Sequence, residues 1–145
     1  METSSFRILV VDNYEPWRRY VSSTLEEREG LQVVGETGDG LEAVRKAIEL
    51  RPDLVLLDIG LSGVNGLEAA KQISDAVPGV KLLFATQDRD AEIMKAALSN
   101  GAHGYILKIE ANHELLPAIN AILHGEKFVS GASESPSTFR KARAF

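Results

Sequence analysis

The chain has 145 residues, 44% of them hydrophobic and none of them cysteine, which suits one domain with its own core and excludes disulfides and thiolate chemistry. The last sixteen residues, Ser130 to Phe145, carry Arg140, Lys141 and Arg143 against Glu134, so of a formal net charge of -5 the tail takes +2 and the body -7, a poor match for nucleic-acid phosphates. No apolar run is long enough to cross a membrane, and Met1 to Phe6 has neither the basic nor the apolar region of a signal peptide, so a cytoplasmic protein is expected.

In chain order, Arg7 to Val11 (RILVV) reads as a short buried strand. Pro16 suits the first position of a helix, where a missing N–H costs nothing. Trp17, Val21 and Leu25 recur at helical spacing, which places Trp17 in the core with the sheet rim nearby, and Gly30 ends the helix. Leu31 to Glu36 is a second strand. Asp39 and Glu42 have the spacing of a capping box, with Leu41, Val44 and Ile48 as the apolar stripe and Pro52 closing the helix. Leu54 to Leu57 is a third strand. Asn65 and Glu68 repeat the capping spacing ahead of Leu67, Ala70, Ile73 and Val77. Val80 to Ala85 is a fourth strand. Asp90 caps a helix carrying Ile93, Met94, Ala97 and Leu98, with Gly101 just past its end. Gly104 to Leu107 is a fifth strand, and Asn112 to His124 a last helix, in which Pro117 predicts a late start or a bend. A domain over residues 1–129 is therefore expected, followed by a linker or disordered tail over 130–145 (SGASESPSTFRKARAF).

Strand and helix alternate five times. Apolar strands between amphipathic helices imply a parallel sheet covered on both faces, and right-handed crossovers favour a doubly wound α/β architecture. In such sheets chemistry sits beyond the carboxyl ends of the strands. Those ends are polar here: Asp12 and Asn13 after the first strand, Asp58 after the third, Thr86 after the fourth and Lys108 after the fifth. A buried carboxylate without a partner is costly, so Asp58 at the end of an apolar strand calls for one.

The set makes sense as a phosphoryl acceptor. A carboxylate can attack phosphorus and form an acyl phosphate, and the rest of the site then has to position groups and neutralise charge. Asp58 would attack. Asp12 would help hold Mg²⁺, a hard cation that takes oxygen ligands. Lys108 would neutralise a phosphate oxygen, Thr86 would donate to another, and Gly60 would offer its carbonyl to the metal. Asp12 and Asp58 are like charges in one cavity, which predicts a raised pKa for at least one. His103, His113 and His124 have no metal-ligand spacing and read as surface or cap residues.

The segments "ILVVDN", "RPDLVLLDIGLSGVNGLEAA", "LLFAT" and "GAHGYILK" together resemble the response-regulator receiver family of two-component signalling, from about Arg7 to about Val129. The resemblance implies a flavodoxin-like (βα)5 fold with five strands in the order 2-1-3-4-5. It implies Asp58 as phosphoacceptor, Asp12 and Asn13 on the acidic pair, Thr86 as switch hydroxyl, Lys108 as the phosphoryl-binding lysine and Tyr105 as switch aromatic. It implies Mg²⁺ as cofactor, a sensor histidine kinase as partner and a homodimer on phosphorylation. "ELLPAINAILHGEKFVS" resembles receivers that feed a LuxR-type helix-turn-helix, so DNA would be reached only through an output domain, which is absent from this sequence. A receiver catalyses only its own modification and is not counted as an enzyme.

The sequence departs from the family pattern at Asn13, where a second acid is usual; an amide keeps a carbonyl oxygen for the metal but loses a charge. Ser62, Gln87 and Ile109 are smaller departures in the loops around the site. Asn13 is also the main support for a second class, a degenerate receiver that acts as an interaction module without taking up phosphate. A third class, an aspartyl-phosphate hydrolase, typically carries its nucleophile at the end of the first strand with a second acid two residues on; Asp12 is followed by Asn13 and Tyr14, which argues against it.

Overall fold

Every residue of Leu54–Leu57 is buried, as expected of a central parallel strand covered on both faces. The structure, a computed structural model, describes residues 5–87 and 90–130. The elements are β1 (Phe6–Val11), α1 (Glu15–Glu26), β2 (Leu31–Thr37), α2 (Gly40–Leu50), β3 (Leu54–Leu57), α3 (Gly66–Ala76), β4 (Lys81–Thr86), α4 (Ala91–Ser99), β5 (Gly104–Leu107), a 3₁₀ turn at Lys108–Glu110, α5 (Ala111–Leu123) and β6 (Phe128–Val129). The sheet runs β2-β1-β3-β4-β5-β6, with every pairing parallel.

Strand side chains alternate between two cores. Leu9, Val11, Val55, Leu57, Leu82 and Phe84 pack with α2, α3 and α4 on one face. Ile8, Val10, Leu54, Leu56, Leu83 and Ala85 pack with α1 and α5 on the other. Each fully buried Leu, Val or Ile contributes about 1.5–3 kcal/mol of transfer free energy. That distribution of helices is the doubly wound architecture expected from the sequence.

Several expectations are corrected. The sheet has six strands where five were expected. Gly125, at φ 92°, turns the chain after α5, and Phe128 is buried as β6 pairs with Gly104 and Tyr105. Ser130, placed at the start of the tail, is buried and still tied to the fold: its N–H donates to the Tyr105 carbonyl at 2.7 Å and its hydroxyl to Glu114. Residues 131–145 of the expected linker lie outside the described residues. α1 ends at Glu26 with Glu27 as its C-cap, and Gly30 instead makes the turn into β2. α5 starts at Ala111, before Pro117 rather than late. On α2 the buried positions are Gly40, Ala43 and Ala47, while Leu41 and Ile48 are exposed. Small residues let that helix lie close to the sheet, and the large apolar ones fall on its flanks. Both cap spacings hold: Asp39 accepts from the Glu42 N–H at 2.8 Å and Asn65 from the Glu68 N–H at 2.9 Å. The Asp39 box is not reciprocal, because Glu42 accepts from the Thr37 hydroxyl.

Two local features lead to measurable consequences. The Gly66 N–H donates to the Ile59 carbonyl at 2.7 Å, and a Cβ on Gly66 would collide with the Asp58 carbonyl oxygen. Gly66→Ala is therefore expected to destabilise the fold by at least about 1–3 kcal/mol, the range for overpacking a tight site, measured as a shift in urea midpoint at unchanged slope.

At the opposite end of the sheet, His103 Nδ1 accepts from the Leu82 N–H at 3.1 Å, which requires the neutral ring. Burial, then the charges of Lys81 and Lys127, hold its pKa below the ordinary value. The unfolded chain therefore binds a proton that the folded chain refuses, so stability is full above the unfolded pKa of about 6.5 and falls as pH drops below it. A shallower loss of stability between pH 6.5 and 5 is expected for His103→Asn, which keeps an acceptor but cannot titrate. Equal slopes in the two proteins would remove His103 from the pH response.

Candidate functional site

The carboxyl ends of β1, β3 and β5 converge on one ammonium. β1 and β3 are hydrogen-bonded neighbours in register, Val11 opposite Leu57, so Asp12 and Asp58 emerge side by side. β4 lies between β3 and β5, with Thr86 opposite Leu107, and Lys108 follows at the start of the 3₁₀ turn. Its long side chain reaches back across the strand ends. Nζ lies 2.7 Å from Asp12 Oδ2 and 3.1 Å from Asp58 Oδ2.

The two carboxylates are held differently. Asp12 is 1% exposed. Its Oδ1 accepts from the Tyr14 N–H at 2.9 Å, its own N–H donates to the Thr37 carbonyl at 2.9 Å, and its carbonyl accepts from Arg18 Nη1 at 2.6 Å. Asp12 Oδ2 is buried and faces the Lys108 ammonium at 2.7 Å, a charge-assisted contact. Asp58 is part-exposed: Oδ1 accepts from the Ile59 N–H at 2.7 Å and Oδ2 from Lys108. Asp58 is thus the carboxylate that an incoming reactant can reach, and Asp12 the one sealed beneath it.

Burial raises the Asp12 pKa above the ordinary carboxylate value; Lys108 and the Tyr14 N–H oppose the shift, and the charge of Asp58 adds to it least of all. The raised pKa expected from two like charges is present at Asp12, but desolvation is its main cause. The lysine between the acids is why their mutual repulsion counts for so little.

The remaining site residues are placed as follows. Thr86 is buried at the end of β4. Tyr105 is 2% exposed inside β5 and packs in the core under α3 and α4. Asn13 is exposed at the rim. Gly60 is exposed two residues past Asp58, with open space where its Cβ would be. Among the described residues no three His, Cys, Asp or Glu side chains gather to hold a metal. A cation here would rest on two carboxylates supplemented by backbone and water. That donor set of hard oxygens fits a small hard cation that keeps several waters and does not fit an all-protein cage; the cation would share Asp12 Oδ2 with the Lys108 ammonium.

Two residues of α1 complete the site, and of these Arg18 was not expected there. Arg18 fixes the Asp12 carbonyl and pairs through Nε with Glu36 at 3.4 Å. Trp17, expected in the core with the rim nearby, is half-buried: it packs against the edge of the core, and Lys108 Nζ stands 5.1 Å from its ring centroid. Its i, i+4 spacing with Val21 does place both on one helix face. But Trp17 lies one turn nearer the helix start, where the sheet has ended and Lys108 takes its place.

The family description "Response regulator receiver domain" matches residues 8–120. The response regulator GacA of Pseudomonas viridiflava is 35% identical over 124 residues, covering 86% of this chain and 58% of that protein. The transcriptional regulatory protein LiaR of Bacillus subtilis is 36% identical over 120 residues, covering 83% of this chain and 57% of that protein. The chain therefore spans a little over half the length of these curated relatives. A crystal structure of a LuxR-family two-component response regulator from Aurantimonas sp. superposes with a TM-score of 0.83 at 32% identity, covering 97% of this chain and 96% of that one. With the match running from β1 into α5, and the acids and the lysine of the strand ends inside it, the chain belongs to the response-regulator receiver domain family.

Proposed function

We propose that the chain accepts a phosphoryl group on Asp58 from the phosphohistidine of a sensor kinase and changes conformation to control an output. The observation that carries this reading is the Lys108 ammonium shared between a sealed Asp12 and an accessible Asp58. An Asp58 oxygen attacks phosphorus, the donor's N–P bond breaks with its electron pair, and the imidazole leaves as an acyl phosphate forms. The reaction needs in-line positioning and charge neutralisation more than covalent help.

Mg²⁺, when bound, would offset the charge of the phosphoryl oxygens; Asp12, Asp58, the Gly60 carbonyl and the Asn13 amide oxygen are the residues to hold it. Lys108 pairs a phosphoryl oxygen and Thr86 donates to another. The product adds about 1.5 to 2 negative charges to a site that has one cation for two acids. Lys108 would then leave Asp12 for the new group, shifting the population of the surface formed by α4 and β5 around Tyr105. Names among the relatives support transcription as the output, which would act through a separate DNA-binding domain, with a second copy of the chain as a partner on phosphorylation. The setting is cytoplasmic, and the domain modifies itself rather than turning over a substrate.

Asp58→Asn is expected to abolish uptake of a phosphoryl group from acetyl phosphate and Mg²⁺ while the fold persists, since the amide is nearly isosteric but no carboxylate nucleophile. Intact mass reads the result. Modification of the variant at the wild-type rate would place the acceptor elsewhere, and an unmodified wild type would favour the interaction module.

Asn13→Asp is expected to tighten Mg²⁺ binding about tenfold, or about 1.4 kcal/mol. One added charge at about 4 Å is worth roughly 1 kcal/mol in water and about 4 at an effective dielectric of 20, and the exposure of position 13 favours the lower end. Titration calorimetry on both proteins decides it, and equal affinities would show that position 13 does not face the metal.

A further inference from the structure

We propose that Trp17 is a positioning residue for Lys108: its indole face holds the ammonium over the pocket and limits its swing into solvent. The proposal rests on the reading of Lys108 as the phosphoryl-binding cation.

Lys108 has two anionic contacts below it, Asp12 and Asp58. Above and beside it the wall is mostly aromatic and apolar, with Gln87 as its one amide. A cavity of about 570 Å³ opens there, lined by Tyr14, Trp17, Tyr20, Leu107 and Ile109 together with Lys108 itself. Ile109, the next residue, is 71% exposed and closes nothing. A lysine side chain has four rotatable bonds, and both charges that attract Lys108 lie on one side. An ammonium drawn by a new phosphoryl group must lose one carboxylate contact before it completes the next. The cavity gives it room to leave.

Trp17 is the group that closes this escape. The ring centroid lies 5.1 Å from Nζ, inside the range in which an aromatic face attracts a cation. The ring is itself braced: the Trp17 and Tyr20 rings meet at 5.5 Å, tilted by 40°, and Trp17 packs on the core beneath α1 and α5. Its contact with Lys108 differs from the carboxylate pairs in one respect. An indole face attracts the ammonium without accepting a hydrogen bond, so it costs none of the donors the phosphoryl group needs. Lys108 can therefore rotate from Asp12 to a phosphoryl oxygen while remaining over the ring. The requirement is for an aromatic face: a leucine keeps an apolar side chain there but attracts no charge, whereas a phenylalanine keeps a ring.

The test compares Trp17→Leu with Trp17→Phe. Without metal or phosphate, the rate of acetylation of Lys108 by an amine-reactive acetyl ester, read by peptide mass spectrometry, is expected to rise about threefold or more in Trp17→Leu, the size expected for an ammonium–ring contact at a part-exposed site. It is expected to stay near wild type in Trp17→Phe. A Leu variant as protected as wild type, or a Phe variant as reactive as Leu, overturns the proposal. Because the chain has one tryptophan, a second measurement avoids changing position 17 at all: Lys108→Met is expected to alter Trp17 emission, and an unchanged spectrum overturns the contact. With acetyl phosphate and Mg²⁺, Trp17→Leu is expected to take up the phosphoryl group yet show a smaller change in hydrogen exchange around Tyr105 than Trp17→Phe; equal changes overturn the positioning role. If the wild type takes up no phosphoryl group, the proposed function fails, while the acetylation and emission results still decide whether Trp17 holds Lys108.

Discussion

One ammonium stands between two carboxylates, and most of the strand-end geometry serves that contact. Asp12 and Asp58 are side by side because β1 and β3 pair in register. Lys108 reaches them from two strands further along the sheet. Remove the lysine and a sealed carboxylate is left without its counter-charge, the situation in which buried ionisable groups become most costly. The order of the central strands thus sets the electrostatics of the pocket. α1 adds Arg18, whose guanidinium holds the Asp12 backbone, and Trp17, which flanks the lysine.

Asymmetry between the two acids gives each its part. Asp12 is buried, with one oxygen committed to a backbone N–H and the other facing only Lys108. Asp58 is open enough to be approached and is held by its neighbour's N–H and by the same lysine. Asp12 is closed over by the Thr37 and Arg18 contacts to its backbone, while Asp58, one strand further toward the centre of the sheet, lies beyond them. The loop after Asp58 is held just as firmly: it bridges through Ser62 to Asp39, and the Gly40 N–H donates to the Ser62 carbonyl at 2.8 Å. The acceptor is therefore presented from a braced loop rather than a free one.

The alternation of apolar strands and amphipathic helices made the α/β sheet readable from the chain, and the strand ends announced the meeting of Asp12, Asp58 and Lys108. Periodicity failed where residue size outweighed it. On α2, Leu41, Val44 and Ile48 are spaced as a stripe, yet Ala43 and Ala47 are the residues that permit close packing on the sheet. Trp17 has the spacing of a core residue, but spacing along a helix says nothing about where the sheet beneath it ends. β6 has two residues, too few for any period; its only signals were a glycine and a phenylalanine after α5. Contacts such as Arg18 to the Asp12 carbonyl depend on tertiary approach and left no trace in local sequence.

The short β6 has a consequence for the behaviour of the chain toward its own copies. An outer strand with unpaired N–H and C=O groups is a template for intermolecular pairing, especially when it is apolar and uncharged. β5 reads Gly-Tyr-Ile-Leu, buried throughout, with neither a charge nor a proline to discourage a foreign strand. β6 covers Gly104 and Tyr105, and the Ser130 N–H occupies the Tyr105 carbonyl. The segment 128–130 thus covers the first half of the β5 edge, and trimming the chain before Phe128 would bare that edge to a foreign strand without touching a single residue of the pocket.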